Sequence, residues 1–459
     1  MDNIWNKLTF SCFSPYRWLS GSYLYRTVGL LSQWQQGSFL LRWGDTLGAL
    51  LISIVFIFGP FISTGLIGVW LTALAVYWGI LTVSDQKNPG ITPIHFMVAL
   101  YWIMAAIAVA FSPVKTAALS GLIKLSLYLL FFLICARILR APRFTNWLIT
   151  VILLIGLVVS SYGVRQNFFG VEQLATWNDP ASELAQATRV YSYLGNPNLL
   201  CAYLFPAIAL SIGAIFIWRG WLPKTLAVTM VLTNSTCLYF TGSRGGWIGM
   251  IALLVVFMSL LILWFWGLLS NFWRKWLLTL VLGGFTGLAI VSVMMVEPLR
   301  LRVMSIFAGR EDSSNNFRMN VWIAVINIIR DYPLTGIGPG NGTFNLVYPH
   351  YMSPKYSALS AYSIFLETAV ETGLIGLGIL FWLIIVTLNQ GVQQIQRLRL
   401  EHNSQGLWLI AAISAIAGIL TQGLVDTVWY RPQVNTLWWF IVALIASQYQ
   451  FQTREQEIK

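Results

Sequence analysis

Charged residues are scarce in this chain. Only 10% of its 459 residues are Asp, Glu, Lys or Arg, whereas 57% are hydrophobic. Soluble domains carry about 25% charged residues, so this composition excludes a soluble enzyme, a disordered protein and a fibrous one. It is typical of a polytopic membrane protein, whose helices bury apolar side chains in lipid.

Histidine and cysteine are also few, with 3 and 4 residues respectively. His95, His350 and His402 are far apart in the sequence, and a metal site needs several ligands in one shell, so we expect no bound metal. The cysteines have neither metal nor disulfide spacing. A P-loop, a GxGxxG motif after a strand and an HExxH motif are all missing, so we expect no cofactor and no ATPase activity.

Anionic residues are outnumbered, since 28 Lys and Arg stand against 16 Asp and Glu and give a net charge of +12. On a soluble protein this excess would indicate nucleic acid. Here the cations are dispersed rather than gathered on one face, and cytoplasmic loops of membrane proteins collect Lys and Arg. The excess therefore indicates membrane topology, and we expect no nucleic-acid partner.

Long apolar runs are abundant and predict twelve membrane helices, because the hydrocarbon core of a bilayer needs about 20 apolar residues to cross. The predicted spans are Leu47–Phe61, Gly65–Val83, Pro93–Phe111, Ala118–Leu139, Thr145–Gly163, Asn198–Trp218, Lys224–Tyr239, Gly246–Leu268, Trp276–Val296, Ala361–Leu388, Gly406–Asp426 and Gln433–Ser447. The fold prediction is an all-α, polytopic membrane helix bundle that sits in the lipid bilayer.

Lys and Arg concentrate in the segments that share one side of the membrane with the N-terminus. Both termini are therefore predicted to be cytoplasmic. Five regions result: a cytoplasmic segment 1–45, spans 1 to 9 in 46–296, a large outer loop 297–360, spans 10 to 12 in 361–448, and a cytoplasmic tail 449–459.

The outer loop 297–360 is too long for a structureless connection and is expected to be functional or separately folded. Within it, Trp322, Val325 and Ile329 recur at spacings of three and four residues. This pattern predicts that Phe317–Arg330 forms a helix lying on the membrane or on the bundle.

The segment TGSRGG at residues 241–246 is a candidate anion site. Gly242 and Gly245 allow the backbone to bend close to a ligand, and the N–H groups at the start of the following helix carry partial positive charge. Arg244 adds a forked donor set that suits phosphate or carboxylate oxygens. Ser243, Arg244 and Gly245 are therefore candidate ligands. The alternative is that Arg244 only caps the helix and snorkels to lipid head groups.

Two other turn-rich segments are predicted on the same outer face, GNPN at 195–198 and PLTGIGPGNG at 333–342. Both segments can lie beside TGSRGG and contribute to the same site. The alternative for each is an ordinary turn between two helices. Arg318 in the loop helix is a candidate second cation for the same anion. Its alternative is a solvated loop charge.

Ionisable residues near membrane depth are functional candidates, and Lys124, Glu367, Glu371 and Asp426 belong to this class. Glu367 and Glu371 lie on one helix face. Each has a structural alternative. Lys124 can snorkel, Glu371 can be hydrogen-bonded at a helix irregularity, and Asp426 can pair with Arg431.

Four segments resemble the O-antigen ligase/polymerase superfamily. They are YLGNPNLLCAYL (193–204), YFTGSRGGWIG (239–249), FRMNVWIAVINIIRDYPLTGIGPGNGTF (317–344) and AYSIFLETAVETGLIG (361–376). Within the superfamily, the chain is most similar to a cyanobacterial branch described as inorganic-carbon (bicarbonate) transporters. The resemblance implies a multi-span bundle with a large outer loop, located in the plasma (inner) membrane.

In the superfamily's ligases, the arginine of the SRG motif and further loop arginines hold the diphosphate of a lipid-linked sugar. The resemblance gives these roles to Arg244 and Arg318. The ligases also place a histidine shortly before the ETG motif, where this chain has Tyr362. Tyrosine is a poor base at neutral pH but donates hydrogen bonds. The catalytic residue is therefore unassigned, and Tyr362, Glu311 and Asp312 are the candidate substitutes.

Two functions remain open. The favoured one is an anion transporter, or an accessory factor of inorganic-carbon accumulation, that binds bicarbonate at the outer face. The alternative is a glycosyltransferase that acts on a lipid-diphosphate-linked glycan. The missing histidine and the branch resemblance favour transport, and the oligomeric state is not predicted. The expected binding residues in either case are Ser243, Arg244, Gly245, Arg318, Tyr362 and Glu371.

Overall fold

A computed structural model describes residues 2–10, 28–30, 37–38, 42–84, 90–172, 174, 188–295 and 297–450. Across these residues the regular structure is helical, and no β-strand occurs in them. Most of the predicted N-terminal segment, most of the C-terminal tail and Cys12 lie outside the described residues.

A short helix α1 (Asp2–Leu8) is followed, within the described part of the chain, by one helix at each predicted span. These helices are α2 (Gly44–Phe58), α3 (Thr64–Ser84), α4 (Pro93–Phe111), α5 (Lys115–Ile138), α6 (Pro142–Phe169), α7 (Pro197–Ile217), α8 (Trp221–Phe240), α9 (Arg244–Trp264), α10 (Asn271–Met295), α14 (Ile364–Leu400), α15 (Gln405–Gln422) and α16 (Pro432–Ser447). Eight of them, α3 to α7, α9, α14 and α15, are long and apolar enough to cross a membrane. The predicted polytopic helix bundle is confirmed.

The outer loop is folded into three further helices, α11 (Glu297–Phe307), α12 (Ser313–Asp331) and α13 (Asn341–Val347). Helix α12 contains the predicted amphipathic segment. Its buried stripe is Val321, Val325 and Ile328, which pack in a small core that the loop shares with Val370 of α14, whereas Trp322 and Ile329 are only half-buried. Val325 was therefore predicted correctly, whereas Trp322 and Ile329 are each one residue away from the buried positions Val321 and Ile328. Of the two predicted locations for this helix, on the membrane or on the bundle, its packing against α14 agrees with the second.

Helices α9 and α15 approach each other closely over α7. A Cβ on Gly249 would lie 2.8 Å from the Gly418 carbonyl oxygen and 2.6 Å from Cζ of Phe205. Small residues at such crossings let membrane helices gain van der Waals contact, which replaces the hydrophobic drive that lipid removes. This contact fixes the helix that begins at Arg244 against the helix that leads to Asp426.

Helix α14 is broken near its outer end at Gly373, which has φ 69° and ψ −178°. The break is filled by the turn-rich loop 333–340. The Leu374 N–H donates to the Pro333 carbonyl at 2.8 Å, and the Ile337 N–H donates to the Val370 carbonyl at 2.8 Å. Backbone groups freed at membrane depth must find partners within the protein, and this loop supplies them.

Replacing Gly249 by alanine is expected to destabilise the bundle, because the new Cβ would lie closer to Gly418 and Phe205 than real Cβ atoms do. Overpacking of this kind costs about 1–3 kcal/mol of unfolding free energy. The measurement is the apparent melting temperature of the purified variant in detergent.

The matched control is Gly284→Ala in α10, where a Cβ would have no atom within 4 Å. Alanine favours a helix over glycine by about 1 kcal/mol, so this variant should melt at the same temperature or higher. Equal melting temperatures for the two variants would contradict the close packing of α9 on α15.

Candidate functional site

Two arginines meet at the turn at Gly242, at the end of the bundle predicted to face outside, and two more lie within electrostatic reach of one of them. A Cβ at this glycine would lie 3.5 Å from Nε of Arg189 and 3.5 Å from Nη2 of Arg302, so these two nitrogens are at most twice that distance apart. Arg189 also lies within the electrostatic reach of Arg244 and Arg318. We call Arg189, Arg244, Arg302 and Arg318 the arginine cluster.

Arg189 connects three segments of the site. Its Nε donates to the Thr241 carbonyl at 2.8 Å, and its Nη2 donates to Oδ1 of Asn198 at 3.2 Å. Burial, and next the charge of Arg302, lower the pKa of Arg189 to about 9, so the guanidinium remains charged at neutral pH. The turn, the start of α7 and the preceding loop are thereby held around one cation.

Arg244 is bound by the outer loop. Its Nη1 donates to the carbonyl and the hydroxyl of Ser305 at 2.9 and 3.0 Å, and its Nη2 pairs with Oδ1 of Asp312 at 2.9 Å. The Arg244 and Asp312 side chains are only 13% and 12% exposed, which argues against snorkelling. A guanidinium has five N–H donors, so donors remain for a ligand.

Ser243 and Gly245 shape the turn that presents Arg244. The Ser243 hydroxyl caps α9 by accepting the Gly246 N–H at 3.2 Å, and its side chain is buried. A Cβ on Gly245 would lie 3.0 Å from Cγ2 of Val425, so glycine allows the segment after α15 to pack closely. Both residues lie beside the arginine cluster and position its backbone.

Arg318, the fourth member of the arginine cluster, also lies near Asp426, and we call these two residues the second half of the site. Arg318 donates from Nη1 to the Ser314 hydroxyl at 2.8 Å, while its Nε is buried without a hydrogen-bond partner among the described residues. Asp426 is buried and accepts a hydrogen bond from the Asn198 side chain. Burial raises the pKa of Asp426, and the nearby charges of Arg318 and Arg189 oppose that rise. Arg318 is therefore not a solvated loop charge. The charged groups that act on Asp426 are Arg318 and Arg189 rather than Arg431, its alternative partner.

Tyr362 lies beside this second half. Its pKa rises to about 12, because burial and then the charge of Asp426 disfavour the phenolate, while Arg318 opposes the rise. Its hydroxyl therefore stays protonated at neutral pH and can donate a hydrogen bond. Its backbone has φ 49°, a left-handed conformation that costs an aromatic residue roughly 1–2 kcal/mol.

Glu371 is bound at the break in α14, and no contact with the arginine cluster is seen for it among the described residues. Its Oε1 accepts the Gly340 N–H at 2.7 Å, directly at the broken turn of α14. This is the hydrogen bond at a helix irregularity that the sequence offered as the alternative. Lys124 and Glu311 are both exposed, on α5 and on the outer loop respectively.

Two members of the arginine cluster, Arg189 and Arg302, were not predicted as site residues. No recognisable motif surrounds either of them. Their predicted position on the outer face was the only available signal, and several other arginines share that position. Asp426 was predicted as a candidate near membrane depth, and the structure brings it to the same site.

Replacing Asp312 by alanine should loosen the start of α12. Oδ1 of Asp312 accepts the Asn315 N–H at 2.8 Å as a helix cap and also pairs with Arg244. Loss of a cap alone costs about 1 kcal/mol. Amides 313–316 should therefore exchange with deuterium roughly five-fold faster or more, as measured by mass spectrometry.

Asp312→Asn keeps a capping oxygen and removes the charge, so its exchange should be intermediate. Glu297→Ala is the control in the same loop, because it breaks only the exposed Glu297–Arg300 pair at 3.6 Å. Unchanged exchange in Asp312→Ala would show that this ion pair does not hold the loop.

Residues 226–381 match the family model described as O-Antigen ligase. The match covers less than half of the chain and includes Arg244, Arg302, Arg318 and Tyr362, whereas Arg189 and Asp426 lie outside it. No curated protein matches the chain. The segment from α8 to the middle of α14 is thus similar to O-antigen ligases, and it contains three of the four arginines of the cluster.

Proposed function

We propose that this membrane protein is an O-antigen ligase-like glycosyltransferase. It transfers a glycan from a lipid-linked diphosphate donor to an acceptor hydroxyl at the outer face of the plasma (inner) membrane. The observation that carries the proposal is the arginine cluster, most of which lies within the segment similar to O-antigen ligases.

The charge of the site supports a diphosphate ligand over bicarbonate. The four arginines outnumber the two aspartates, Asp312 and Asp426, that face them. A bicarbonate ion has a single negative charge, whereas a diphosphate diester has one on each phosphate. The diphosphate therefore balances the excess positive charge more completely.

The unpartnered Nε of Arg318 supports a ligand at this place. A buried guanidinium N–H without an acceptor is costly, and native structures rarely leave one. A phosphate oxygen would satisfy it with a charge-assisted hydrogen bond. Arg318 and the remaining donors of Arg244 would then hold the diphosphate from two sides.

The chemistry expected at this site is a single displacement. The acceptor hydroxyl oxygen attacks the anomeric carbon of the donor, a new C–O bond forms, and the bond from that carbon to the phosphate oxygen breaks. The bonding electrons leave with the lipid diphosphate, whose additional negative charge the arginine cluster stabilises. The proton of the acceptor hydroxyl passes to a base.

Asp426 is the residue best suited to act as that base. It is a buried carboxyl group in the second half of the site, and burial raises its pKa, which makes its carboxylate a stronger base than an exposed one. Tyr362 has a pKa of about 12 and stays protonated. Among the carboxylates proposed from the sequence, Glu311 is exposed and Asp312 is held by Arg244.

Inorganic pyrophosphate should stabilise the purified protein more than bicarbonate at the same concentration, because it matches the cluster's charge. A ligand at 100 times its Kd adds about 2.7 kcal/mol to the unfolding free energy. The measurement is the melting temperature in detergent against the concentration of each anion. Arg302→Gln and Arg318→Gln should each weaken the pyrophosphate effect.

Arg330→Gln is the matched control, since Arg330 is an exposed arginine at the end of the same loop helix. It should retain the full pyrophosphate effect. A larger effect of bicarbonate than of pyrophosphate, or an equal loss in all three arginine variants, would count against a diphosphate site in the cluster.

Asp426→Asn should reduce glycan transfer by about 100-fold or more, which is the contribution of a general base. The base acts when deprotonated, so the wild-type rate should fall as the pH decreases through the raised pKa of Asp426. This fall should occur at a higher pH than for an ordinary aspartate, whose pKa is about 3.9. The measurement is turnover of a fluorescent lipid-diphosphate oligosaccharide with a glycolipid acceptor, as a function of pH.

The same purified protein in liposomes tests the transport alternative. Uptake of labelled bicarbonate that follows an imposed gradient and is lost in Arg244→Ala, without glycan transfer, would overturn the proposal. Glycan transfer without uptake would support it.

A further inference from the structure

The peptide at Tyr362 is unusual because an aromatic residue adopts the left-handed conformation there. Residues in sparsely populated conformations persist only where the surrounding structure fixes them, and such residues cluster at functional sites. The contacts on either side of Tyr362 therefore show which residues impose this conformation.

The carboxylate of Glu367 lies at the centre of these contacts. Its Oε2 accepts the N–H of Ala361, the residue before Tyr362. The N–H of Ser363, the residue after it, donates to Oγ1 of Thr427 at 3.0 Å, and this hydroxyl lies 3.5 Å from the same Oε2. One carboxylate oxygen thus holds both flanks of Tyr362.

Neighbouring helices also hold the turn at Tyr362. Nε1 of Trp322 in α12 donates to the Ala361 carbonyl at 3.1 Å, and the Ile364 N–H donates to the Gly423 carbonyl at 2.8 Å. The Phe317 ring meets the Tyr362 ring edge-on, with centroids 5.5 Å apart. The outer loop and the end of α15 therefore meet at this turn.

Glu367 makes few hydrogen bonds for a buried carboxyl group. Its side chain is buried, and Oε1 has no hydrogen-bond partner among the described residues. A buried carboxyl group with an unused oxygen is costly, and an apolar side chain would avoid that cost. What an apolar side chain lacks is an acceptor for the Ala361 N–H.

We propose that Glu367 is a positioning residue that fixes the turn around Tyr362, so that the Tyr362 hydroxyl donates a hydrogen bond to a phosphate or sugar oxygen of the donor at the arginine cluster. Tyr362 lies near both Arg318 and Asp426, so its hydroxyl can meet the donor that Arg318 holds, close to the carboxylate that takes the proton of the acceptor hydroxyl. This inference rests on the proposed glycosyl transfer.

Three variants test the assignment. Glu367→Ala removes the acceptor for the Ala361 N–H, and Glu367→Gln restores one with an uncharged group. Tyr362→Phe removes the hydroxyl alone. For Glu367→Ala and Tyr362→Phe we expect kcat to fall about ten-fold or more, with the KM for the donor nearly unchanged, because misplacement of one donor affects the transition state most. Glu367→Gln should keep most of the activity.

The double variant distinguishes positioning from general destabilisation. If Glu367 acts through Tyr362, adding Tyr362→Phe to Glu367→Ala should cause little further loss. Losses that multiply would overturn the proposal, as would full activity in Glu367→Ala. Glu401→Gln is the control for removal of a carboxylate, because Glu401 is exposed at the opposite end of α14.

Hydrogen exchange separates this proposal from the proposed function. Amides 361–363 should exchange faster in Glu367→Ala than in the wild type, and Glu367→Gln should restore slow exchange. Unchanged exchange in Glu367→Ala would overturn the positioning role even if the enzyme transfers glycans. Absence of glycan transfer in the wild type, with the exchange effect present, would instead overturn the proposed function.

Discussion

The break in α14 at Gly373 is the constraint on which the fold of the loop 297–360 depends. A helix interrupted at membrane depth exposes backbone groups that lipid cannot satisfy, so another part of the protein must reach them. The loop 333–340 does so through backbone hydrogen bonds at Leu374 and Ile337, and Glu371 adds a side-chain bond to Gly340. The outer loop is therefore joined to the bundle at the broken turn of α14. Because α12 immediately precedes this loop, the same junction sets where Arg318 can lie.

The arginine cluster is the second consequence of that junction. Like charges gathered in a partly buried place repel one another, and burial adds a desolvation cost that lowers the pKa of both Arg189 and Arg302. The protein offsets part of this cost with the Arg244–Asp312 ion pair and with carbonyl acceptors such as that of Thr241. The remaining positive charge is best balanced by an anion with more than one charge. The cluster thus combines repulsion between its cations with a buried N–H donor, Nε of Arg318, that has no acceptor among the described residues. This combination is the electrostatic basis of the proposed phosphoryl ligand.

The sequence predicted where the helices of the bundle lie because runs of apolar residues are a strong physical signal, although only eight of the twelve helices at the predicted spans are long and apolar enough to cross a membrane. It also predicted Arg244, since glycine and arginine in TGSRGG form a local pattern. Arg189 and Arg302 were not predicted, because they come together only when segments distant in the sequence meet around Gly242. No local sequence pattern indicates that contact. Two of the three residues predicted for the buried stripe of α12, Trp322 and Ile329, were each one residue away from a buried position for a related reason. Its neighbours are apolar all round, so periodicity alone could not tell which face meets the loop core and which residue, Trp322, turns to bond the Ala361 carbonyl.

Tyr362 shows how the site can work without the histidine that the superfamily's ligases place before their ETG motif. A histidine can both donate a hydrogen bond and accept a proton, because its pKa lies near neutrality. A tyrosine whose pKa is raised stays protonated at neutral pH and can donate a hydrogen bond, but it cannot take up the proton, so another group must accept it. Asp426 lies close enough to influence Tyr362, and it belongs to the segment after α15 rather than to α14. In the proposed mechanism, the two tasks of one imidazole are therefore divided between a phenol fixed by Glu367 and a carboxylate on a neighbouring segment. Such a division makes the rate depend on how precisely α14 and the end of α15 are held together, which is what the hydrogen bonds of Ser363 and Ile364 to that segment provide.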